Sequence, residues 1–358
     1  MSFEHNPLSH PIFFETDSEN HFHGFFDYHF KPGQSYFVLV DENTHHYCLD
    51  VLKDMLPGNY FLKIIEIPSG EEHKTLGTCN IIWEILSDKL AGRDSVMINL
   101  GGGVVTDVGG FAASVYKRGM RFINVPTSLM AMVDASIGGK TGVDFNGLKN
   151  IIGVFSQPMA VFVAPVFLQT LPRREMLNGF IEMLKHGLIA DYRYFEELAG
   201  GGVDIVNAEK IRISTEIKSD IVQRDPFEKE LRKSLNFGHS IGHPLETHSL
   251  LNDDDPLLHG EAILLGMMAE TILSEKKGLI KTQLSNEILS GLVNYSIPYQ
   301  IDSDRIEAVL DYMRHDKKNV DGIPGFTLLS AKGQCTTSVE CSQSDVVASL
   351  KELDEILD

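Results

Sequence analysis

Short apolar runs alternate with helix-length amphipathic segments through the first half of the chain. Runs of strand length lie at residues 36–40, 60–67, 96–100, 122–125 and 160–163. Segments with helical spacing separate the first three runs, at residues 43–55 and from Trp83 to Leu90, and another follows residue 103. Because parallel strands are joined by crossover helices, this order predicts an α/β domain with a parallel sheet.

Beyond residue 171 the apolar positions recur with helical spacing. The longest amphipathic segments lie at residues 173–198, 203–223, 238–250, 257–277 and 281–294. Two short apolar runs, at residues 326–329 and 337–339, flank Lys332 and Gly333, which predicts a hairpin before a final helix. The pattern therefore predicts two domains, an α/β domain over residues 1–168 and a helical domain over residues 169–358.

The net charge of the chain indicates which classes of molecule it would repel rather than attract as partners. The 358 residues have a net charge of −19, from 31 Lys and Arg against 50 Asp and Glu. Such a field repels nucleic acids and anionic membranes. The sequence has no apolar run of about 18 residues and no signal-peptide pattern, so we expect a cytoplasmic globular protein. The four cysteines form no CxxC pair, which argues against a zinc ribbon.

One stretch is basic although the whole chain is acidic. Residues 114–155 have only Asp134 and Asp144 as acids. The basic residues of this stretch are Lys117, Arg118, Arg121, Lys140 and Lys149. A locally positive cleft in a negative protein predicts a small anionic substrate that is drawn to one place.

A glycine-rich turn follows the third predicted strand. Gly101, Gly102 and Gly103 lie between that strand and a predicted helix, where backbone N–H groups can approach an anion, as in Rossmann-like nucleotide-binding domains. The turn is not GxGxxG, so a tight turn without a ligand is an equal alternative. Asp41 and Asn43 follow the first strand and suit a ribose, although Asp41 alone is more often a helix cap.

Three histidines and a glutamate have the spacing of a metal site. His239 and His243 are four residues apart, so on a helix both rings lie on one face, and His259 follows a predicted loop. Glu182, on a preceding helical segment, is a further candidate donor. For each histidine taken singly, a satisfied or solvated imidazole is the alternative, and His243 could instead be an acid–base group.

Ordered motifs extend over residues 36–330. They are GGGVVTDVGGFAA at 101–113, VPTSLMAMVDASIGGKTGV at 125–143, LKNIIGVF at 148–155, FLQTLPRRE at 167–175, EMLKHG at 182–187, LRKSLNFGHSIGH at 231–243, LLHGEA at 257–262 and HDKKN at 315–319. Together they resemble the 3-dehydroquinate synthase family of sugar phosphate cyclases. The resemblance implies a Rossmann-like NAD-binding α/β domain followed by a helical metal-binding domain.

The resemblance also implies residue roles. Zn²⁺, with Co²⁺ as an alternative, would be bound by Glu182, His239 and His259. NAD would contact Asp41, Asn43, Glu71, Lys74, Gly102, Gly103, Val104, Asp107, Thr127, Ser128, Lys140, Lys149, Phe167, Thr170 and Leu171. The substrate would contact Asp134, Lys140, Lys149, Asn150, Lys185, Lys218, Arg232, Asn236, His243 and one of Lys317 and Lys318. The arginine that matches Arg118 reaches a neighbouring subunit's site in this family, which implies a homodimer.

The family's reaction explains the basic residues. Its members are lyases of the shikimate pathway of aromatic amino acid biosynthesis, and they convert 3-deoxy-D-arabino-heptulosonate 7-phosphate into 3-dehydroquinate and phosphate. The steps are transient oxidation by NAD⁺, phosphate elimination, re-reduction and intramolecular aldol closure. The resemblance implies that Arg232 binds the carboxylate of this substrate, and that Lys140 and Arg118 bind its phosphate.

Three other classes of function are alternatives to this interpretation. The alternatives are a 2-epi-5-epi-valiolone or 2-deoxy-scyllo-inosose synthase, a metal-dependent polyol dehydrogenase, and a non-enzymatic protein that binds NAD and zinc. The retained Lys218 and Arg232 favour the dehydroquinate reaction over the reactions of the other cyclases.

The sequence also departs from the family pattern at three positions. Thr106, Asp144 and Pro244 replace the glycine, asparagine and alanine usual in the family. None of these changes removes a residue to which a catalytic role is assigned, so we expect the reaction to be retained.

Overall fold

The chain forms two compact units. The computed structural model describes residues 10–16, 20–30, 34–56, 61–146, 148–315 and 325–357. The first unit comprises residues 1–176 and 207–215, and the second comprises residues 177–206 and 216–358. Lys317 and Lys318 lie outside the described residues.

A parallel sheet forms the centre of the first unit. The strands of this unit are β1 (Ile12–Phe14), β2 (Tyr36–Asp41), β3 (Leu62–Ile67), β4 (Val96–Gly101), β5 (Arg121–Pro126), β6 (Lys140–Phe145), β7 (Leu148–Phe155) and β8 (Val161–Val163). Among the described residues, six of them pair in the order β1-β8-β5-β4-β2-β3, always in parallel. The predicted parallel α/β sheet is confirmed.

The helices of the first unit follow its strands. They are α1 (Phe22–His29), α2 (Glu42–Tyr47), α3 (Leu49–Met55), α4 (Leu76–Asp88) and α5 (Gly103–Val115). The single helix predicted over residues 43–55 is divided at Cys48, whose N–H bonds to Thr44 O and ends α2. Asp41, at the end of β2, begins α2 by accepting a hydrogen bond from Thr44 N at 2.7 Å.

Helix α5 lies close against the parallel sheet on one side and β6 on another, because it has glycines where larger residues would overlap their neighbours. A Cβ at Gly109 would overlap Asn99 of β4, and a Cβ at Gly110 would overlap Thr141 of β6. Asn99 Nδ2 also donates to Asn124 Oδ1 of β5 at 2.9 Å, so β4 and β5 share a buried polar pair. This packing leaves no room for a side chain at Gly109 or Gly110, in the middle of α5.

The apolar pattern does not indicate β1, α1 or the antiparallel β6–β7 hairpin. Residues Phe13 of β1 and Phe22 of α1 stack on Phe162 of β8, with centroid distances of 5.2 and 4.1 Å. In the hairpin, Ile151 and Phe155 are exposed. Its strands KTGVDF and LKNIIGVF lack the strict alternation that identifies a half-buried strand from sequence, so the hairpin was missed.

Helices dominate the second unit. The remaining elements are α6 (Arg173–Ala190), α7 (Tyr192–Gly201), α8 (Ala208–Arg224), α9 (His239–Asn252), α10 (His259–Lys276), α11 (Thr282–Val293), α12 (Ser303–His315), β9 (Gly325–Ala331), β10 (Gln334–Glu340) and α13 (Gln343–Leu357), and α6 and α8 have residues in both units. Helix α10 is buried from residue 260 to 274 and forms the core. Strands β9 and β10 form the predicted hairpin. No helix among the described residues is long and apolar enough to cross a membrane.

Candidate functional site

Three histidine rings converge at the start of two neighbouring helices of the second unit. His239 is the first residue of α9, His243 lies one turn later, and His259 is the first residue of α10. The ring centroid of His239 lies 4.9 Å from that of His243 and 5.5 Å from that of His259. One nitrogen of each ring lies within 4.8 Å of the others, which is close enough for a shared metal ion.

Glu182 of α6 faces two of these histidines from a fully buried position. Its Oε1 lies 3.6 Å from His259 Nε2 and 3.9 Å from His239 Nε2, and both distances exceed a hydrogen bond. Within the described ranges, Glu182 Oε1 has no hydrogen-bond partner, whereas Oε2 pairs with Lys185. A cation between the carboxylate and the imidazoles would offset the cost of burying this charge, so the donors fit a metal ion.

Lys185 adds a second buried charge, one helical turn after Glu182. Its Nζ pairs with Glu182 Oε2. Burial alone would raise the pKa of Glu182, but Lys185 and the neighbouring imidazoles hold that pKa well below its usual range. Burial and the Lys185 charge hold the pKa of His239 well below 6.5. These directions favour a carboxylate at Glu182 and a neutral imidazole at His239, which are the forms that bind Zn²⁺.

Glu246, which the sequence analysis missed, orients His259. Its Oε2 lies 3.2 Å from His259 Nδ1, and the carboxylate is buried on α9. Although burial of the imidazole opposes it, this carboxylate helps to raise the pKa of His259 to about 9. With Nδ1 held by Glu246, the Nε2 atom of His259 faces Glu182. This carboxylate–histidine pairing is usual behind a metal ligand.

A second group of predicted residues lies on the loop that precedes α9. The Asp225 carboxylate accepts backbone hydrogen bonds from Lys229 at 2.9 Å, Glu230 at 2.7 Å and Arg232 at 3.1 Å, which fixes the course of the loop. Asn236 Nδ2 donates to Glu228 Oε1 at 2.8 Å. Arg232 is buried on this loop. Asp225 is another positioning residue that the sequence analysis did not identify.

In the first unit, the glycine turn joins β4 to α5. Gly102 is the N-cap residue of α5. As a glycine it has no side chain that could accept a hydrogen bond from the first turn of the helix. A Cβ at Gly102 would lie 3.3 Å from Ser128 Oγ, so the turn has little spare room on that side. Backbone N–H groups at such a helix start suit a phosphate group.

Charged residues surround the first turn of α5. Lys74 Nζ lies 2.7 Å from Asp107 Oδ2 and 3.9 Å from Glu71 Oε1, and Lys149 Nζ lies 3.3 Å from the same Glu71 oxygen. Lys74 is buried, and Asp107 and Glu71 raise its pKa against the effect of that burial. We call Glu71, Lys74, Gly102, Gly103 and Asp107 the nucleotide cradle.

The other predicted residues differ in their burial and in the elements on which they lie. Thr127 is buried after β5, and its N–H bonds to Gly101 O at 3.0 Å. Phe167 and Thr170 lie on a 3₁₀ turn that precedes Leu171. Asn43, Lys140, Asn150 and Arg118 are exposed, Val104, Ser128 and Asp134 are half-buried, and Lys218 is buried on α8.

Comparison with known proteins identifies the family. The model of the 3-dehydroquinate synthase N-terminal domain matches residues 64–178, and that of the C-terminal domain matches residues 179–319. The chain belongs to the 3-dehydroquinate synthase family. A 3-dehydroquinate synthase from Parabacteroides distasonis is 38% identical over 318 residues, which cover 88% of this chain and 90% of that protein.

Solved structures of other cyclases share the fold. A 2-epi-5-epi-valiolone synthase from Streptomyces hygroscopicus, solved with NAD⁺ and Zn²⁺ bound, matches with a TM-score of 0.85 at 25% identity, over 98% of each chain. A 2-deoxy-scyllo-inosose synthase, solved with carbaglucose-6-phosphate, NAD⁺ and Co²⁺, matches with a TM-score of 0.80 at 24% identity, over 95% of this chain and 96% of that chain.

The three expected departures from the family pattern lie on α5, β6 and α9. Thr106 is buried in α5, and its hydroxyl bonds back to the carbonyls of Gly102 and Gly103 at 3.2 and 3.0 Å, so it leaves their N–H groups unobstructed. Asp144 Oδ1 accepts a hydrogen bond from Asn150 N at 2.7 Å. Pro244 lies inside α9, beyond its first turn, where the missing N–H would have bonded to Ser240 O.

Proposed function

We propose that this protein is a 3-dehydroquinate synthase, which converts 3-deoxy-D-arabino-heptulosonate 7-phosphate into 3-dehydroquinate and phosphate. The observation that supports it most directly is the family match, which extends through both halves of the chain. Identity to a 3-dehydroquinate synthase, at 38%, exceeds that to the solved 2-epi-5-epi-valiolone synthase, at 25%. We propose a cytoplasmic enzyme whose residues 1–168 bind NAD and whose residues 169–358 bind the metal.

Glu182, His239 and His259 are the proposed ligands of Zn²⁺, with Co²⁺ as an alternative. The buried Glu182 Oε1, which has no hydrogen-bond partner among the described residues, forms with two imidazole nitrogens a donor set that Zn²⁺ prefers. When bound, Zn²⁺ supplies Lewis-acid catalysis and NAD⁺ supplies reversible oxidation. His243, whose ring adjoins that of His239, is the proposed acid–base group.

The nucleotide cradle is the proposed site for the pyrophosphate and ribose of NAD. Gly102 and Gly103 would donate backbone N–H groups, and Asp107 and Glu71 would accept from ribose hydroxyls. The rest of the proposed NAD contacts are Asp41, Asn43, Lys74, Val104, Thr127, Ser128, Lys140, Lys149, Phe167, Thr170 and Leu171. Asp41 already caps α2, so its second oxygen would serve the ligand.

The proposed substrate contacts divide by the group that each would bind. Arg232 suits the planar carboxylate, and Lys140 suits the phosphate. The other proposed contacts are Asp134, Lys149, Asn150, Lys185, Lys218 and Asn236. We also propose a homodimer, in which the exposed Arg118 would reach the phosphate site of the second copy.

A substrate panel tests this proposal. Zinc-loaded protein is incubated with catalytic NAD⁺ and either heptulosonate 7-phosphate, sedoheptulose 7-phosphate or glycerol, and phosphate, cyclic products and NADH are measured. The proposal predicts release of phosphate and 3-dehydroquinate from the first substrate alone. Turnover of sedoheptulose 7-phosphate in its place would indicate a different cyclase, and stoichiometric NADH from glycerol would indicate a polyol dehydrogenase.

A further inference from the structure

A buried carboxylate of α10 caps the start of α9. Glu270 Oε2 accepts a hydrogen bond from Gly238 N at 2.6 Å, and Oε1 accepts one from Ile241 N at 3.3 Å. These are donors that the first turn of a helix leaves without intrahelical partners. Gly238 is the N-cap residue, and glycine has no side chain that could cap the helix. A residue of another helix therefore performs the capping.

The same two helices approach closely at glycines. A Cβ at Gly242 would lie 2.9 Å from Ala262 O, and a Cβ at Gly266 would overlap the Gly238 carbonyl. Gly238 also has a φ of +83°, which favours glycine. Residues 238 and 242 thus lie opposite residues 266 and 262, so α9 and α10 run antiparallel in a fixed register.

The capped end of α9 begins with a proposed metal ligand. His239 immediately follows Gly238, so any shift in the start of the helix moves its imidazole. At the other end of the contact, Glu246 of α9 holds His259 of α10. Two buried glutamates therefore hold α9 and α10 together at the two ends of their contact. Glu270 binds the start of α9, and Glu246 binds His259 at the start of α10.

We propose that Glu270 is a positioning residue of the metal centre, which holds the start of α9 so that His239 meets the ion together with Glu182 and His259. This inference rests on the proposed function, because it requires that the three residues bind a metal. Glu270 does not touch the ion in this account. Its effect passes through Gly238 N and Ile241 N, and it should be measurable as metal affinity without any substrate.

Replacement of Glu270 tests the proposal. In Glu270→Met, the side chain keeps its length but loses both acceptors, so the Zn²⁺ dissociation constant should rise roughly 10- to 100-fold, as on loss of other groups that support metal ligands. The d–d spectrum of Co²⁺ in the same variant should change, because the ligand geometry changes. Glu270→Gln retains one acceptor oxygen and should recover most of the affinity. If Glu270→Met does not fold, Glu270→Asp, which withdraws the carboxylate by one methylene group, should weaken binding in the same direction.

Asp191→Ala is the matched control. Asp191 caps α7 by accepting from Arg193 N and Tyr194 N, and α7 has none of the proposed ligands. This variant should lose unfolding free energy but keep the wild-type Zn²⁺ affinity and Co²⁺ spectrum. A folded Glu270→Met or Glu270→Asp protein with both properties of the wild type would overturn the proposal, as would an equal loss of affinity in the control. Absence of Zn²⁺ binding by the wild type would instead contradict the proposed metal centre.

Discussion

Asp144 adds a negative charge near Lys74 of the nucleotide cradle and near Lys149. Burial raises its pKa, while its hydrogen bond from Asn150 N and the Lys74 charge oppose that rise. Asp144→Asn keeps an acceptor oxygen for Asn150 N and removes the charge. Because NAD is anionic, we expect the NAD⁺ dissociation constant to fall roughly two- to fivefold, the effect of one partly screened charge. Isothermal titration calorimetry measures it.

Asp88→Asn is the control for this prediction. Asp88 is an exposed acid at the end of α4 in the same unit, so its change removes an equal charge away from the cradle. NAD⁺ affinity should then stay at the wild-type value. Unchanged or weaker NAD⁺ binding by Asp144→Asn would show that Asp144 does not act on the cradle through its charge.

Single residues of the site differ in how far the sequence predicts them. His239 and His243 are four residues apart, and their shared helical face follows from that spacing. Glu182 and His259 are distant in sequence from that pair, so only the family resemblance assigns both of them to the same metal site. Glu270 had a local signal, an acid within a continuous apolar run, but the sequence does not indicate which N–H groups it meets. Those N–H groups are at the start of another helix, so tertiary packing determines that Glu270 binds them.

The pairing of α9 and α10 should respond to pH through Glu270. Burial raises the pKa of Glu270 from 4.5 to about 8, although backbone N–H groups of residues 238 and 241 oppose the shift. The folded protein thus holds a proton that the unfolded chain releases near pH 4.5. The contribution of Glu270 to stability is present below pH 4.5 and is lost as pH rises through about 8.

Urea unfolding of metal-free protein measures this effect. Between pH 5 and 8, the unfolding free energy of the wild type should fall relative to that of Glu270→Gln, by on the order of 3 kcal/mol. The variant has no titrating group at this position, and the other groups act equally in both proteins. Parallel pH profiles of the two proteins would mean that the pKa of Glu270 is not raised by burial.

Close packing of α5 on the sheet gives a prediction for Gly109. A Cβ at this position would overlap Asn99 Oδ1 and Leu39 Cδ2, so Gly109→Ala should lower the unfolding free energy by about 1–3 kcal/mol. Gly24→Ala is the matched change in α1, where a Cβ meets nothing within 4 Å. It should raise stability by about 0.5–1 kcal/mol, since alanine favours the helix. Equal stability changes in the two variants would refute the packing argument.

Elements with a continuous apolar pattern were predicted, and those without one were not. Strands β2, β4, β5 and β8 coincide with apolar runs because each is buried on both faces of a parallel sheet, and the partly buried edge strand β3 also has an apolar run. The β6–β7 hairpin has Ile151 and Phe155 exposed, so it lacks that signature. The division of residues 43–55 at Cys48 depends on a local change in backbone angle that apolar spacing does not encode.

On the scale of the whole molecule, one chain has two kinds of site, one in each unit. The first unit has a helix start with a glycine at the N-cap position, among charged residues, and the second has a buried carboxylate facing two imidazoles. Neither arrangement specifies a substrate by itself. The net charge of −19 argues against nucleic acids and anionic membranes as partners, but the ordered motifs over most of the chain are needed to identify the reaction.

The central claim is that bound NAD is oxidant and reductant within one turnover. The most direct measurement is the number of 3-dehydroquinate molecules formed per NAD⁺ when zinc-loaded enzyme acts on excess heptulosonate 7-phosphate. We predict many turnovers per NAD⁺, one phosphate for each 3-dehydroquinate, and no accumulation of NADH. Product that stops at one equivalent of NAD⁺, with NADH left in solution, would contradict the account.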